Sequence, residues 1–114
     1  MRLRSDIWVK AYMRSCAVGG AHAYVVRHGD DDAGAIFIKV TSADRTAQVF
    51  APAPTGLDNA DFERRWMCIS GPERIDEREA DTRLAREMGY DSDVWVIEVE
   101  HRDGRHFLDD WLAA

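Results

Sequence analysis

Two apolar stretches, Ala35 to Val40 (A-I-F-I-K-V) and Val94 to Glu100 (V-W-V-I-E-V-E), constrain the fold of this 114-residue chain more than any other feature. Each is too short for an ordinary helix and too rich in β-branched and aromatic residues for a loop. Their apolar residues run almost consecutively, where a strand with one wet face would alternate strictly. Strands of that kind are covered on both faces. A sheet with such strands needs helices above and below it, and the rest of the chain must supply them.

It has two segments suited to the task. Ser5 is placed as an N-cap and Gly19-Gly20 as a stop, and between them Ile7, Trp8, Ala11, Tyr12, Ser15 and Val18 fall on one side of a helical wheel. Val9, Met13 and Cys16 widen the apolar arc, so this helix either lies deep against the sheet or turns a second side to a partner subunit. The second helix has sharper boundaries. Asp76 and Glu79 have capping-box spacing, Ile75 and Ala80 are placed for a hydrophobic staple, Ala80, Leu84, Ala85 and Met88 form a narrow stripe, and Gly89 stands where a left-handed terminal residue is expected.

The remaining segments read as strands. Ala21 to His28, Ala35 to Val40 and Thr46 to Ala51, joined by short loops, predict an antiparallel meander. Pro52, Pro54 and Gly56 end it. Phe62 to Ile69 is a fourth strand, with Phe62, Arg64, Trp66 and Cys68 on one face and its arginines suiting a sheet edge. Val94 to Glu100 is the fifth, parallel to the fourth if the crossover through the second helix is right-handed. Asp103-Gly104 then predicts a hairpin returning through Arg105 to Phe107, and Leu108 to Leu112 a final helical turn. The expected fold is α+β (mixed α/β): a three-layer α-β-α sandwich around a mixed, mainly antiparallel sheet, in the order α-β-β-β-β-α-β-β. The length suits one domain over residues 1–114, able to bury roughly two-thirds of the surface its unfolded chain exposes.

Taken together, M-R-L-R-S-D-I-W-V-K-A-Y, R-H-G-D-D-D-A-G-A-I-F-I-K-V, and D-T-R-L-A-R-E-M-G-Y-D-S-D-V-W-V-I-E-V-E with R-H-F-L resemble, over essentially the whole chain, a family of short alphaproteobacterial proteins defined as a domain of unknown function, DUF1491. The resemblance implies a cytosolic bacterial protein that stands alone as one domain. It carries over no catalytic residue.

The chemistry-bearing residues are sparse. If Asp103-Gly104 form the two-residue hairpin, His101 lies opposite His106 with Cβ atoms about 4.5–5.5 Å apart, close enough to share a metal ion. Two donors do not make a site, and a solvated pair beside Arg102 and Arg105 is the simpler reading. Asp30-Asp31-Asp32 lack the ligand pattern of a calcium loop and read as an acidic loop tip, with His28 nearby as an acid/base partner. Cys68 could pair with a histidine only in space. No G-x-S-x-G elbow is present, and Gly19-Gly20 end a helix, where a phosphate loop would begin one. Arg74, Arg78, Arg83 and Arg86 alternate with glutamates in a mixed solvated face. No catalytic residue, cofactor or metal site is assigned.

The net charge of −6 repels phosphate backbones and argues against nucleic acid. No run is long enough to span a membrane. Cys16 and Cys68, without a secretory leader, read as reduced thiols of a cytoplasmic protein. Four tryptophans are many for this length. A few-layered domain need not hide them all, so Trp8 and Trp66 are candidates for an interaction patch. The expectation is a non-enzymatic, self-associating interaction module whose partner is a protein or a second copy. The alternative is a small enzyme or ligand-binding protein with a cleft near Asp30–Asp32 or the His101/His106 hairpin.

Overall fold

The computed structural model describes residues 3–54 and 64–113. Its elements run α1 (Ser5–Val18), β1 (His22–Arg27), β2 (Ile36–Thr41), β3 (Thr46–Pro52), β4 (Trp66–Cys68), β5 (Ile75–Asp76), α2 (Glu77–Tyr90) and β6 (Trp95–Glu100), followed by a 3-10 turn at Asp109–Trp111. The strands form one mixed sheet in the order β1-β6-β2-β3-β4, with two-residue β5 also on β3. Among the described strands β2 and β6 pair in parallel and the other pairs are antiparallel, while an isolated parallel bridge joins Trp66 to Leu112.

The two helices cover opposite faces. Trp8, Val9, Tyr12 and Cys16 of α1 pack with Ile36, Ile38, Val40, Ile97 and Val99. Ala80 and Leu84 of α2 pack with Phe37, Val49, Ala51 and Val96 on the other side. Alternate residues of β2 and β6 therefore enter different cores, which is why these strands read as continuous apolar runs. The expected α-β-α layering holds.

The strand order departs from the meander. β1 and β2 are not neighbours, because the last strand, β6, lies between them and pairs with both. β6 runs in the same direction as β4, as expected, but its parallel neighbour is β2. With β1 on one edge and β2 on the other, β6 has no edge left for a returning hairpin strand. Arg105–Phe107 accordingly form no strand, although the Asp103-Gly104 turn exists, closed by Gly104 N–H donating to the His101 carbonyl at 3.0 Å. The final helical turn is present at Asp109–Trp111.

Helix boundaries also shift. Ser5 is not the cap of α1: it is buried as the first helical residue, donating its hydroxyl to the Gly34 carbonyl at 2.7 Å and accepting from Arg64 Nη2 at 3.0 Å. The orphan N–H groups of Ser5 and Asp6 donate instead to the Asp32 and Asp31 carbonyls. At the other end Gly20 takes φ +86, and Gly20 and Ala21 donate to Ala17 and Cys16, the Schellman closure that Gly19-Gly20 predicted. The buried face of α1 centres on Ser5, Val9, Tyr12 and Cys16, leaving Ile7 and Val18 exposed. Asp76 caps α2 through Arg78 N–H, and Gly89 lies inside that helix, which ends at Tyr90.

Candidate functional site

The tryptophans are structural. Trp8 and Trp66 are 3% and 1% exposed and stacked at 4.1 Å between ring centroids, so neither lies on the surface as an interaction residue. Trp111 meets Trp8 edge-on at 5.5 Å, and Trp66 Nε1 donates to the Ile36 carbonyl. Trp95 Nε1 donates to the Asp30 carbonyl. All four tryptophans belong to the core on the α1 side of the sheet.

The Asp30–Asp32 loop is likewise committed. Its carbonyls cap α1, Asp30 Oδ2 accepts from Asp32 and Ala33 N–H, and Asp30 N–H donates to Asp93. His28 Nε2 does reach Asp31 Oδ1 at 2.6 Å, with its ring 4.0 Å from that of Trp95. This pair is exposed.

His101 and His106 are not opposed across a ladder. His101 Nδ1 accepts from Asp103 and Arg105 N–H, and His106 Nδ1 from Leu108 N–H at 2.8 Å. Each ring therefore has a nitrogen occupied by its own turn. No cluster of three or more potential metal ligands occurs among the described residues. Cys68 Sγ contacts Ser70 Oγ and the Gly71 carbonyl. Burial pushes the Cys16 thiol up, away from a reactive thiolate, and Cys16 lies beside Tyr12, whose own hydroxyl burial also pushes up. Both cysteines are free.

Besides the role of Arg74, three features were missed in the sequence. Lys39 is buried on the α2 face of β2 and paired with Asp81 at 2.6 Å, Glu77 at 3.1 Å and Glu98 at 3.2 Å. Burial works against its charge, but these carboxylates outweigh it and raise the lysine above its usual range. The signal was present: a lone lysine inside a strand covered on both faces needs buried partners. Arg74, read as part of a solvated face, is tied into the sheet by bonds to Thr46, Gln48 and the Val40 carbonyl.

The second is β1. Among the described residues it occupies one end of the sheet, paired only with β6, and the consecutive residues Tyr24, Val25 and Val26 are 46%, 42% and 54% exposed. A bulge interrupts its register between Val25 and Arg27.

The third is a cleft of about 550 Å³ at the carboxyl ends of the parallel pair β2 and β6, lined by His22, Thr41, Ser42, Arg45, Glu77, Glu100, His101 and Arg102 among others. The β2–β3 turn and the segment after β6 build it together, joined by Ala43 N–H donating to the Arg102 carbonyl. Asp44 shapes the turn by accepting from Ser42 and Thr46, bonds that hold its carboxyl down at about 2. Arg45 adopts φ +65, a left-handed conformation costing on the order of 1–3 kcal/mol for a non-glycine residue.

A family model for proteins of unknown function, DUF1491, matches residues 3–109. The chain is similar to the crystal structure of a DUF1491 family protein from Caulobacter crescentus CB15, at 38% identity and TM-score 0.82 over 100% of both chains. An NMR structure of a DUF1491 family protein from the same organism is 40% identical, TM-score 0.81, covering 100% of this chain and 99% of that one. The solution structure of protein Atu0922 from A. tumefaciens is 32% identical, TM-score 0.76, covering 89% of this chain and 87% of that one. No curated protein matches. The resemblance read from the sequence is thus supported by a family match and by structures aligned along the chain, and this protein belongs to the DUF1491 family of proteins of unknown function.

Proposed function

We propose that this protein is a non-enzymatic interaction module that self-associates, the contact being the open edge of β1 and the partner a second copy of the chain. The observation behind this reading is the exposed run Tyr24-Val25-Val26 on an edge strand. An edge presents unpaired N–H and C=O groups, and chains usually guard it with a charged side chain, proline, a bulge or a very short strand. β1 has six residues and no proline, and its bulge and its arginine both lie at the Val26–Arg27 end, so the first four residues carry no such guard. Antiparallel pairing with its copy about a two-fold axis is self-complementary. Ala23 and Tyr24 meet across the axis at the centre, His22 meets Val25 of the other copy, and the two copies of Arg27 stay at opposite ends, so like charges do not oppose each other. The bulge bends β1 beyond Val25, leaving His22 to Val25 for pairing. The contact differs from the Trp8 and Trp66 patch expected from the sequence, since those rings are buried. We place the protein in the cytoplasm, a setting in which free Cys16 and Cys68 stay reduced.

Sedimentation velocity over a concentration series tests the reading. The wild-type chain is expected to move from monomer to dimer as concentration rises. Val25→Lys, which puts a charge on the edge, is expected to remain monomeric while melting as the wild-type monomer does. A wild-type chain that stays monomeric throughout sinks the proposal, as does a dimer unaffected by Val25→Lys.

A further inference from the structure

We infer that the cleft at the carboxyl ends of β2 and β6 is a binding site for a small phosphomonoester, held by Arg45, Arg102 and His101. The position is one that open α/β sheets favour for ligands, in the crevice just beyond the carboxyl ends of parallel strands. A volume of about 550 Å³ suits a metabolite-sized molecule.

The charges decide the class of ligand. Among the described residues, neither the Arg45 nor the Arg102 guanidinium has a side-chain or backbone partner, whereas the carboxylates beside them are engaged. Glu77 is drawn to Lys39 at 3.1 Å, and Glu100 accepts from the uncharged Tyr24 hydroxyl at 3.3 Å and keeps its charge, which Arg45 and Arg102 together outweigh. Two uncommitted guanidinium groups in one cleft match the double negative charge and fork geometry of a phosphate. His101 adds a donor. Its Nδ1 accepts from two backbone N–H groups, so the neutral ring carries its proton on Nε2. Glu100, Ser42 and Thr41 leave oxygens nearby for the hydroxyl groups of the molecule that bears the phosphate.

Arg45 supplies an independent observation. It follows a tight turn at a left-handed position where glycine or asparagine is the ordinary choice. Its carbonyl accepts from Glu77 N–H, a backbone duty that glycine would perform equally well. The backbone therefore has no need of an arginine there, and among the described residues its side chain makes no hydrogen bond or ion pair that would account for the strain. A ligand contact accounts for it.

The test is an amide NMR titration of the full chain with inorganic phosphate and with ribose 5-phosphate, using wild type, Arg45→Gly, Arg102→Ala and the exposed-arginine control Arg86→Ala. Saturable shifts confined to the segments around residues 41–46 and 100–103 are expected, with ribose 5-phosphate tighter than phosphate. Affinity should fall about tenfold or more in Arg45→Gly and Arg102→Ala and stay unchanged in Arg86→Ala. Arg45→Gly should also melt a few degrees higher, because glycine accepts the left-handed conformation without strain. The proposal is overturned if neither probe binds saturably, if ribose 5-phosphate binds no tighter than phosphate, or if the two cleft variants bind like the control. A fall in melting temperature for Arg45→Gly would mean that the arginine is there to stabilise the turn, which also overturns it.

Discussion

Burial holds the His106 imidazole below the usual histidine range, with Asp109 opposing that shift and Arg105 adding to it. Its Nδ1 accepts from Leu108 N–H, a bond that a proton on that nitrogen would remove. The unfolded chain thus takes up the proton more readily than the folded one. Stability from this residue is complete above the unfolded value of about 6.5 and is lost as pH falls through the lower folded value. The melting temperature should decline as pH falls below about 6.5, and His106→Asn, which keeps an acceptor but does not titrate, should flatten that decline. Identical slopes in thermal melts of the two proteins would rule His106 out as the cause. At this scale the sequence is an uneven guide. It marks Trp8 and Trp66 as notable but not whether they face in or out, since that depends on how many cores the sheet creates. Lys39 was legible from its own strand, being a charge among two-sided apolar neighbours. Arg45 and Arg102 were not, because two segments distant in the chain must meet before their charges share a cleft.

Helices and strands are legible where local chemistry specifies them and less so where tertiary contacts intervene. Asp76 caps α2 as its side chain dictates, and Gly20 closes α1 in the conformation that glycine permits. Ser5 does not cap α1, because Gly34 and Arg64 claim its hydroxyl and the Asp31–Asp32 loop satisfies the helix from outside. Gly89 gives the sharpest contrast. A left-handed terminal glycine would make Gly89→Ala destabilising, but this residue lies within α2 and an added Cβ would meet open space. Alanine there should stabilise by about 0.5–1 kcal/mol, read as a rise of about 4 °C in the thermal midpoint. A lower midpoint would mean that α2 ends before residue 89.

The layering of the whole molecule was readable because a strand apolar on both faces has only one kind of home. The strand order was not, because the pattern of β1, β2 and β3 is satisfied equally by a meander and by a sheet opened to admit β6. Hydrophobic periodicity fixes which way side chains point and says nothing about which edge a strand joins. A fragment of residues 1–93 tests the difference. With β6 removed, β1 has no neighbour and β2 loses its parallel partner, so the fragment should lack cooperative unfolding and dispersed amide signals. A meander would survive the cut as a smaller folded sheet, and a cooperative melt of the fragment would count against the central role of β6.

The position of β6 also bears on how the cell handles this chain. Synthesis delivers β6 after every other strand of the sheet, so for most of its emergence the nascent polypeptide has β1 unpaired beside the β2-β3-β4 ladder and nothing to join them. Its most apolar strands stay uncovered over that interval, when chaperones and proteases act on exposed surface. A ribosome that stops anywhere before residue 95 releases a product in which β1 has no partner and one side of β2 is bare. Completeness of the message and foldedness of the protein are thereby coupled, and a truncated copy presents itself for degradation without any dedicated signal.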